Sequence, residues 1–126
     1  MNLYLETTLT EIGAEVAALA EGGVLILFAA GSPPELAEVS VLHRAETPPS
    51  DTPPATGAKL ELGSVSATVT AVGNAAWGKM CEMGHIVLSF NGADTADRPG
   101  EMCLSIVDPA ALVAVLQPGA RLKITS

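Results

Sequence analysis

Apolar and polar residues alternate over several short segments of the chain, which is the pattern of strands with one buried face. Val65 to Val72 is rich in valine and threonine with period two, and Leu3 to Leu9 alternates in the same way. Val24 to Phe28 is apolar throughout, which predicts a strand buried on both faces. Further strands are predicted at 38–43, 59–62, 85–90, 102–107 and 121–125. The chain is therefore predicted to be mainly β, with seven to eight short strands.

Between these strands the pattern predicts one to three short helices. The candidate segments are 14–20, which stops at Gly22-Gly23, 74–83, which carries Trp77, Met80 and Met83 at spacings of three, and a run after Asp108-Pro109. Gly84 is a predicted helix end and Asp108 a predicted N-cap. Frequent turn signals favour a small antiparallel β-barrel or sandwich over a parallel α/β fold. No internal repeat is evident.

A proline-rich segment at about 44–58 divides the two strand-rich parts of the chain. It holds the pairs Pro48-Pro49 and Pro53-Pro54 among Ser, Asp, Thr and Gly. Prolines stiffen such a segment locally toward polyproline II, so we predict a solvated loop. It is short for an interdomain linker, and 126 residues fit one domain. We therefore expect a single domain over 1–126.

Charge narrows the classes of partner. The formal net charge is −8, which argues against nucleic acid and against an anionic membrane surface. Six glutamates and no lysine or arginine precede Arg44, a distribution that suits a basic protein partner or serves solubility alone. No apolar run reaches the ~20 residues of a membrane span, and the N-terminus lacks the features of a signal peptide. We expect a cytoplasmic protein with reduced cysteines.

Two motifs are candidates for a phosphate-binding or metal site. Gly73 to Lys79 fits part of a phosphate-binding loop, but Met80 follows where that loop needs a hydroxyl for Mg²⁺. Zinc needs at least three protein ligands, and His43, His85, Cys81 and Cys103 are too scattered to indicate a site. We expect no metal and no cofactor.

The histidines are the remaining candidates. Neutral imidazole is a good nucleophile near pH 7, because its ordinary pKa is about 6.5. His43 follows a predicted strand and opens onto the proline-rich loop, where a side chain is expected to be accessible and still held by the sheet. A lone histidine is more often structural, and His85, directly after Gly84, has a packing role as its simplest interpretation.

An ordered set of segments resembles the glucitol/sorbitol-specific IIA family of the bacterial sugar phosphotransferase system. The matching segments are 7–14, 25–28, 31–38, 41–43, 69–73, 82–92, Pro99-Gly100 and Pro118-Gly119. Each is weak alone, but together they cover nearly the whole chain in order and with similar spacing. After His43 the family pattern often has a further histidine and a glycine, whereas this chain has Arg44-Ala45-Glu46 and a longer proline-rich loop; the stretch around Trp77 also departs.

The resemblance implies a protein-histidine phosphotransferase that accepts a phosphoryl group from the phosphocarrier HPr. It passes the group to the IIB component of the sorbitol transporter, with no cofactor. The phosphorylated histidine of the family falls on His43, and its Gly-His before a strand falls on Gly84-His85. We expect His85 to donate to the phosphoryl oxygens, with Arg44 as a second candidate.

Two other classes of function stay open at this point. One is a non-catalytic β-barrel interaction or regulatory module that keeps the fold, and the other is a barrel that binds a small molecule. Exposure of His43 distinguishes them, because a phosphocarrier is expected to hold its histidine at the surface in a shallow apolar patch.

Overall fold

A computed structural model describes residues 3–31 and 33–126 of the chain, apart from the side chain of Pro34. Its strands are β1 (Leu3–Ile12), β2 (Val24–Ala29), β3 (Val41–Thr47), β4 (Lys59–Leu62), β5 (Val65–Val72), β6 (Ile86–Ser89), β7 (Glu101–Leu104) and β8 (Arg121–Thr125). Its helices are α1 (Val16–Glu21), α2 (Pro34–Ala37), α3 (Ala76–Met83) and α4 (Pro109–Ala114). None of these helices has the length and apolarity needed to cross a bilayer.

The eight strands close into one barrel in the order β1-β3-β2-β6-β7-β5-β4-β8, with β8 paired to β1. The mainly β barrel expected from the sequence is thus confirmed. Two of its pairings, β2 with β3 and β6 with β7, are parallel, whereas an antiparallel barrel was predicted. A parallel neighbour requires a crossover connection, and the segments that link β2 to β3 and β6 to β7 are long enough to make one.

The boundaries of β3 and the number of helices differ from the sequence prediction. The structure describes four helices where one to three were expected, and α2 is the one that lies outside the predicted segments. Strand β3 continues to Thr47, because its second half pairs with β1 and Thr8 donates a hydrogen bond of 2.7 Å to Glu46. The proline-rich loop therefore begins at residue 48. The predicted cap is confirmed, since Asp108 accepts from the Ala111 N–H at 3.1 Å.

The barrel interior is aliphatic. Buried and less buried residues alternate along β4, β5 and β8, and the largest fully buried side chains are mostly leucine, as in Leu60 and Leu62 of β4. Burial of each such side chain contributes about 1.5–3 kcal/mol relative to leaving it in water. Helices α1, α3 and α4 pack on this core through Val16, Met80 and Leu112 respectively. The interior is a packed core, and functional groups belong to its walls and ends.

The two halves of the chain have the same topology, although the sequence shows no repeat. Exchanging β1, β2, β3 and β4 for β5, β6, β7 and β8 leaves the order around the barrel unchanged. The register agrees as well: Leu9 pairs with His43 as Val69 pairs with Leu104, and both pairings have a bulge at the next position. Each half places a short helix after its first strand. This pseudo-two-fold relationship gives His43 a structural counterpart, Leu104.

Candidate functional site

His43 lies in the wall of the barrel, near one end, and its side chain is buried. It is the third residue of β3, between Leu9 of β1 and Ala29 of β2, and is only 3% exposed. The expectation of an accessible histidine at a strand end is wrong for this conformation. The cause is the extension of β3 to Thr47, which places His43 within a paired segment.

Both ring nitrogens of His43 have hydrogen-bond partners. Nε2 lies 2.8 Å from the backbone carbonyl oxygen of Gly84, and Nδ1 lies 2.6 Å from the hydroxyl of Thr7. A carbonyl oxygen only accepts, so the hydrogen of the neutral ring is on Nε2. Nδ1 therefore accepts, and the Thr7 hydroxyl donates to it. The two contacts fix both the tautomer and the orientation of the imidazole.

Burial lowers the pKa of His43 below its ordinary value of 6.5, and the hydrogen bond to the Gly84 carbonyl acts in the opposite direction. The desolvation of the charged form is the larger cause. The imidazole is consequently neutral at pH 7. A neutral ring has a lone pair for nucleophilic attack, which an imidazolium lacks.

Gly84 is held in place by the end of α3. It adopts the left-handed conformation (φ 67°), its N–H donates to the Met80 carbonyl and the N–H of His85 donates to the Lys79 carbonyl, so that Gly84 caps the helix. A Cβ on Gly84 would lie 2.8 Å from the Cβ of Ala29. Only glycine fits this approach of helix to strand, and the approach brings the Gly84 carbonyl to His43.

Residues 48–54, here called the strap, follow β3 and place Pro49 beside the site. Ser50 anchors the strap through its backbone, because its N–H donates to the Tyr4 carbonyl at 2.9 Å and its carbonyl accepts from the Trp77 indole at 2.6 Å. Cys81 also lies 3.5 Å from the Ser50 carbonyl. These bonds hold Pro49 against the depression beside His43.

That depression has a volume of about 320 Å³ and is open to solvent. Its lining includes Ala29, Ala30, His43, Arg44, Ala45, Pro49 and residues 80–84. Thr7 is not part of the lining and is fully buried. The Nε2 edge of the ring, which meets Gly84, is therefore the edge next to solvent, whereas the Nδ1 edge faces the barrel interior.

Arg44 is among the residues that line the same depression. Its side chain is 70% exposed, and the guanidinium lies 3.9 Å from the Glu46 carboxylate, an exposed contact of little energy.

His85 lies apart from this depression, although it follows Gly84 in the chain. Its Nδ1–H donates to the Leu27 carbonyl at 3.1 Å, and its ring packs on Phe28 with centroids 4.6 Å apart. It lines a different depression, together with Lys79 and Arg98. The structure thus brings Arg44, but not the His85 ring, next to His43.

The remaining candidates from the sequence do not gather. Cys81 is exposed and Cys103 buried, both with free thiols. Within 3–31 and 33–126, no three His, Cys, Asp or Glu side chains are grouped so as to hold a metal ion. Of the six glutamates that precede Arg44, Glu6 pairs with Arg121 at 3.0 Å, and the other five are exposed.

Comparison with known proteins identifies the family. The profile of the family described as "PTS system glucitol/sorbitol-specific IIA component" matches residues 4–122 of the chain. The chain belongs to this family. Glucitol/sorbitol-specific EIIA components of Shigella flexneri and Escherichia coli K12 are each 32% identical over 127 residues, covering 100% of this chain and 98% of theirs. The resemblance stated from the sequence is thereby confirmed, and the chain is a phosphocarrier component of bacterial sugar uptake.

The fold has a solved counterpart. The crystal structure of a PTS system IIA component from Enterococcus faecalis V583 matches with a TM-score of 0.74, over 97% of this chain and 100% of that chain. The sequence identity is 20%, so this match supports the fold of the chain and nothing further.

Sequence reasoning missed three groups around His43: the Thr7 hydroxyl, the Gly84 carbonyl and the anchored strap. A signal for Thr7 is present, because Leu5, Thr7 and Leu9 form the inward row of an alternating strand with one polar member. The other two depend on long-range contacts that no local pattern encodes.

Proposed function

We propose that His43 accepts a phosphoryl group from the phosphocarrier HPr and passes it to the IIB component of a glucitol/sorbitol transporter. The transfer takes place in the cytoplasm, and the domain of 1–126 forms a phosphohistidine intermediate without metal or cofactor. The supporting observation is a neutral imidazole of fixed tautomer at the edge of a depression, in a full-length member of the IIA family. A buried structural histidine does not need such a depression.

Nε2 is the proposed nucleophile. Its edge of the ring borders the depression, while Nδ1 lies against Thr7 inside the wall. In the conformation described here, Nε2 carries the hydrogen and donates it to Gly84. Attack therefore requires the ring to leave that carbonyl and to move its hydrogen to Nδ1 by exchange with solvent.

Displacement of the strap, whose Pro49 lines the depression, exposes more of His43 to a partner. The strap is held near the site by the backbone bonds of Ser50, and each such bond contributes about 0.5–1.5 kcal/mol net. A docking protein that covers the depression can replace these contacts with its own. His43 is thus protected at rest and exposed when a partner is bound.

The transfer step conserves atoms and charge in a simple way. The lone pair of Nε2 forms a bond to phosphorus as the N–P bond of phospho-HPr breaks, and that electron pair stays on the HPr histidine. Nδ1 keeps its hydrogen, so the product ring is a phosphoimidazolium. The transition state is loose and places charge on three equatorial oxygens. Donor and acceptor are chemically alike, so positioning is the main requirement.

Arg44 is the group best placed to receive the phosphoryl oxygens, since it lines the depression and is weakly paired. The sequence prediction gave this role first to His85, and it stays a prediction to be tested. The geometry supports a less direct part for His85: its bond to Leu27 and its packing on Phe28 hold the backbone that presents Gly84.

The deciding experiment is intact mass after incubation with phosphoenolpyruvate, enzyme I and HPr. Wild type is expected to gain about 80 Da in an acid-labile form, and His43→Gln is expected to gain nothing. Gln keeps a donor for the Gly84 carbonyl, which favours folding of the variant. His85→Gln serves as the matched control on the other histidine and is expected to be phosphorylated.

Each other outcome has a definite meaning. A gain that persists in His43→Gln and is lost in His85→Gln moves the site to His85. No gain in wild type with a cognate HPr present favours the non-catalytic module. Full transfer rates in His85→Gln remove His85 as a donor, and full rates in Arg44→Gln remove Arg44.

A further inference from the structure

Thr7 stands in the barrel interior as a polar residue in an apolar row. Its neighbours on the inward face of β1 are Leu5 and Leu9, and all three are buried. The hydroxyl of Thr7 lies 2.6 Å from Nδ1 of His43. A buried hydroxyl without a partner is costly, so this contact accounts for a hydroxyl at this position.

The corresponding place in the other half of the barrel has no hydroxyl. Thr7 faces Leu122 of β8 as Ala67 faces Leu60 of β4, and Leu104 takes the position of His43. The hydroxyl and the imidazole therefore occur together in one half and are absent together from the other. The barrel folds without a hydroxyl at the second position, so the fold alone does not require one.

A hydroxyl has a property that the chemistry at Nδ1 needs. In the resting ring Nδ1 has a lone pair and the Thr7 hydroxyl donates to it. When Nε2 attacks phosphorus, Nδ1 must carry the hydrogen and needs an acceptor instead. A Thr or Ser hydroxyl rotates to serve in either role, whereas a carboxylate only accepts and an amide group has fixed ends.

We propose that Thr7 is a positioning residue for phosphoryl transfer, whose hydroxyl donates to Nδ1 of His43 at rest and accepts the Nδ1 hydrogen when Nε2 attacks. This inference rests on the proposed function of His43. Thr7 touches neither the phosphoryl group nor the partner. It keeps a hydrogen bond to Nδ1 in both tautomers while Nε2 leaves the Gly84 carbonyl, and it stabilises the positive charge that develops on the ring in the transition state.

The test compares Thr7→Val, which keeps the branched shape and removes the hydroxyl, with Thr7→Ser, which keeps the hydroxyl. Thr8→Val is the matched control, because Thr8 is the next residue on the same strand and bonds Glu46 on the outer face. We expect Thr7→Val to slow phosphorylation by HPr about 10- to 100-fold, the effect of one charge-assisted hydrogen bond. Thr7→Ser is expected to restore most of the rate, and Thr8→Val to leave it unchanged.

A spectroscopic readout separates positioning from simple loss of stability. In ¹⁵N NMR of the imidazole, Nδ1 of His43 is expected to shift in Thr7→Val toward the value of a nitrogen without a hydrogen bond. Thr7→Ser and Thr8→Val are expected to keep the wild-type shift. If Thr7→Val does not fold, Thr7→Ala takes its place, since alanine is the residue at the equivalent position of the other half.

The outcomes distinguish this inference from the function on which it rests. A wild type that gains no phosphate, or a His43→Gln variant that still does, overturns the proposed function whatever Thr7 does. A phosphorylated wild type, with Thr7→Val at an equal rate and an unmoved Nδ1 resonance, overturns the inference about Thr7 alone.

Discussion

The two halves of the barrel place different groups at equivalent positions. One position combines Thr7 and His43 of the first half with Gly84 of the second, whereas its equivalent combines Ala67 and Leu104 of the second half with Gly23 of the first. Gly84 lies before β6 and Gly23 before β2, both with positive φ, 67° for Gly84 and 81° for Gly23.

The two glycine carbonyls have different partners. The Gly84 carbonyl accepts from the His43 ring, whereas the Gly23 carbonyl accepts from the Phe90 N–H at 2.8 Å. Phe90 and Ala29 occupy equivalent positions. Phe90 is buried in the core, whereas Ala29 lines the depression beside His43. The barrel fold provides two equivalent positions. Only one of them forms a candidate site, because Thr7, His43 and the Gly84 carbonyl are hydrogen-bonded there.

The largest expected effect comes from placing a histidine in the apolar half. Leu104→His removes a fully buried leucine and buries an imidazole without a hydroxyl partner. We expect the free energy of unfolding to fall by about 3–5 kcal/mol. Adding Ala67→Thr supplies the missing hydroxyl and should return about 1 kcal/mol relative to Ala67→Val, which has the same shape. Urea denaturation of the two double variants measures this difference.

Equal stability of the two double variants would show that the halves are not equivalent at the level of side-chain contacts. The control is the same pair of changes without Leu104→His, because a new hydroxyl at Ala67 has no partner there. In that background Thr should be less stable than Val.

The glycines give the second contrast. Gly84→Ala faces both a positive φ and the Ala29 Cβ at 2.8 Å, whereas a Cβ on Gly23 has its nearest neighbour, the Phe90 carbonyl, at 3.5 Å. Strain at φ costs about 1–3 kcal/mol in either case, and overpacking adds about 1–3 kcal/mol at Gly84 alone. We expect Gly84→Ala to lower the free energy of unfolding more than Gly23→Ala in urea titrations, and to move the NMR signals of His43.

If both variants lost the same free energy of unfolding and the NMR signals of His43 did not move, the close contact with Ala29 would not be what positions the Gly84 carbonyl. Phosphorylation rates give a second measure. Gly23→Ala changes no contact of His43, so it should leave the rate as it is.

These contrasts show how far the sequence could predict the molecule. The strands and the helix ends at Gly84 and Asp108 follow from local periodicity and capping, which act within a few residues. The burial of His43 does not follow from a local pattern, because the groups around it come from other parts of the chain. Ser50 of the strap is 7 positions from His43, and Gly84 is 41 positions from it. The equivalence of the halves is also hidden, since it lies in the pairing register and not in residue identity.

One weak local signal and the resemblance to the IIA family both indicate His43. Its strand was predicted, but periodicity could not show that β3 runs on to Thr47 along β1. The predicted exposure of His43 was therefore wrong, because a histidine at a strand end is accessible and one within a paired strand is not. Thr7 was readable as a polar residue on an inward face, but its partner was not.

The smallest expected effect is the contribution of His43 to the pH dependence of stability, which Leu104 at the equivalent position cannot make. The pKa of His43 is lowered in the folded protein, mainly by burial, from an unfolded value of about 6.5. As pH falls below about 6.5, the unfolded chain binds a proton that the folded chain does not, so stability falls until pH passes the folded pKa. We expect wild type to lose stability over this range relative to His43→Leu, which copies the residue of the other half.

Glu46 and Glu101, whose pKa values are lowered by hydrogen bonds from Thr8 and Ser89, act at more acid pH and are present in both proteins. Parallel curves of unfolding free energy against pH for the two proteins would mean that His43 is solvated in solution and the strap already open.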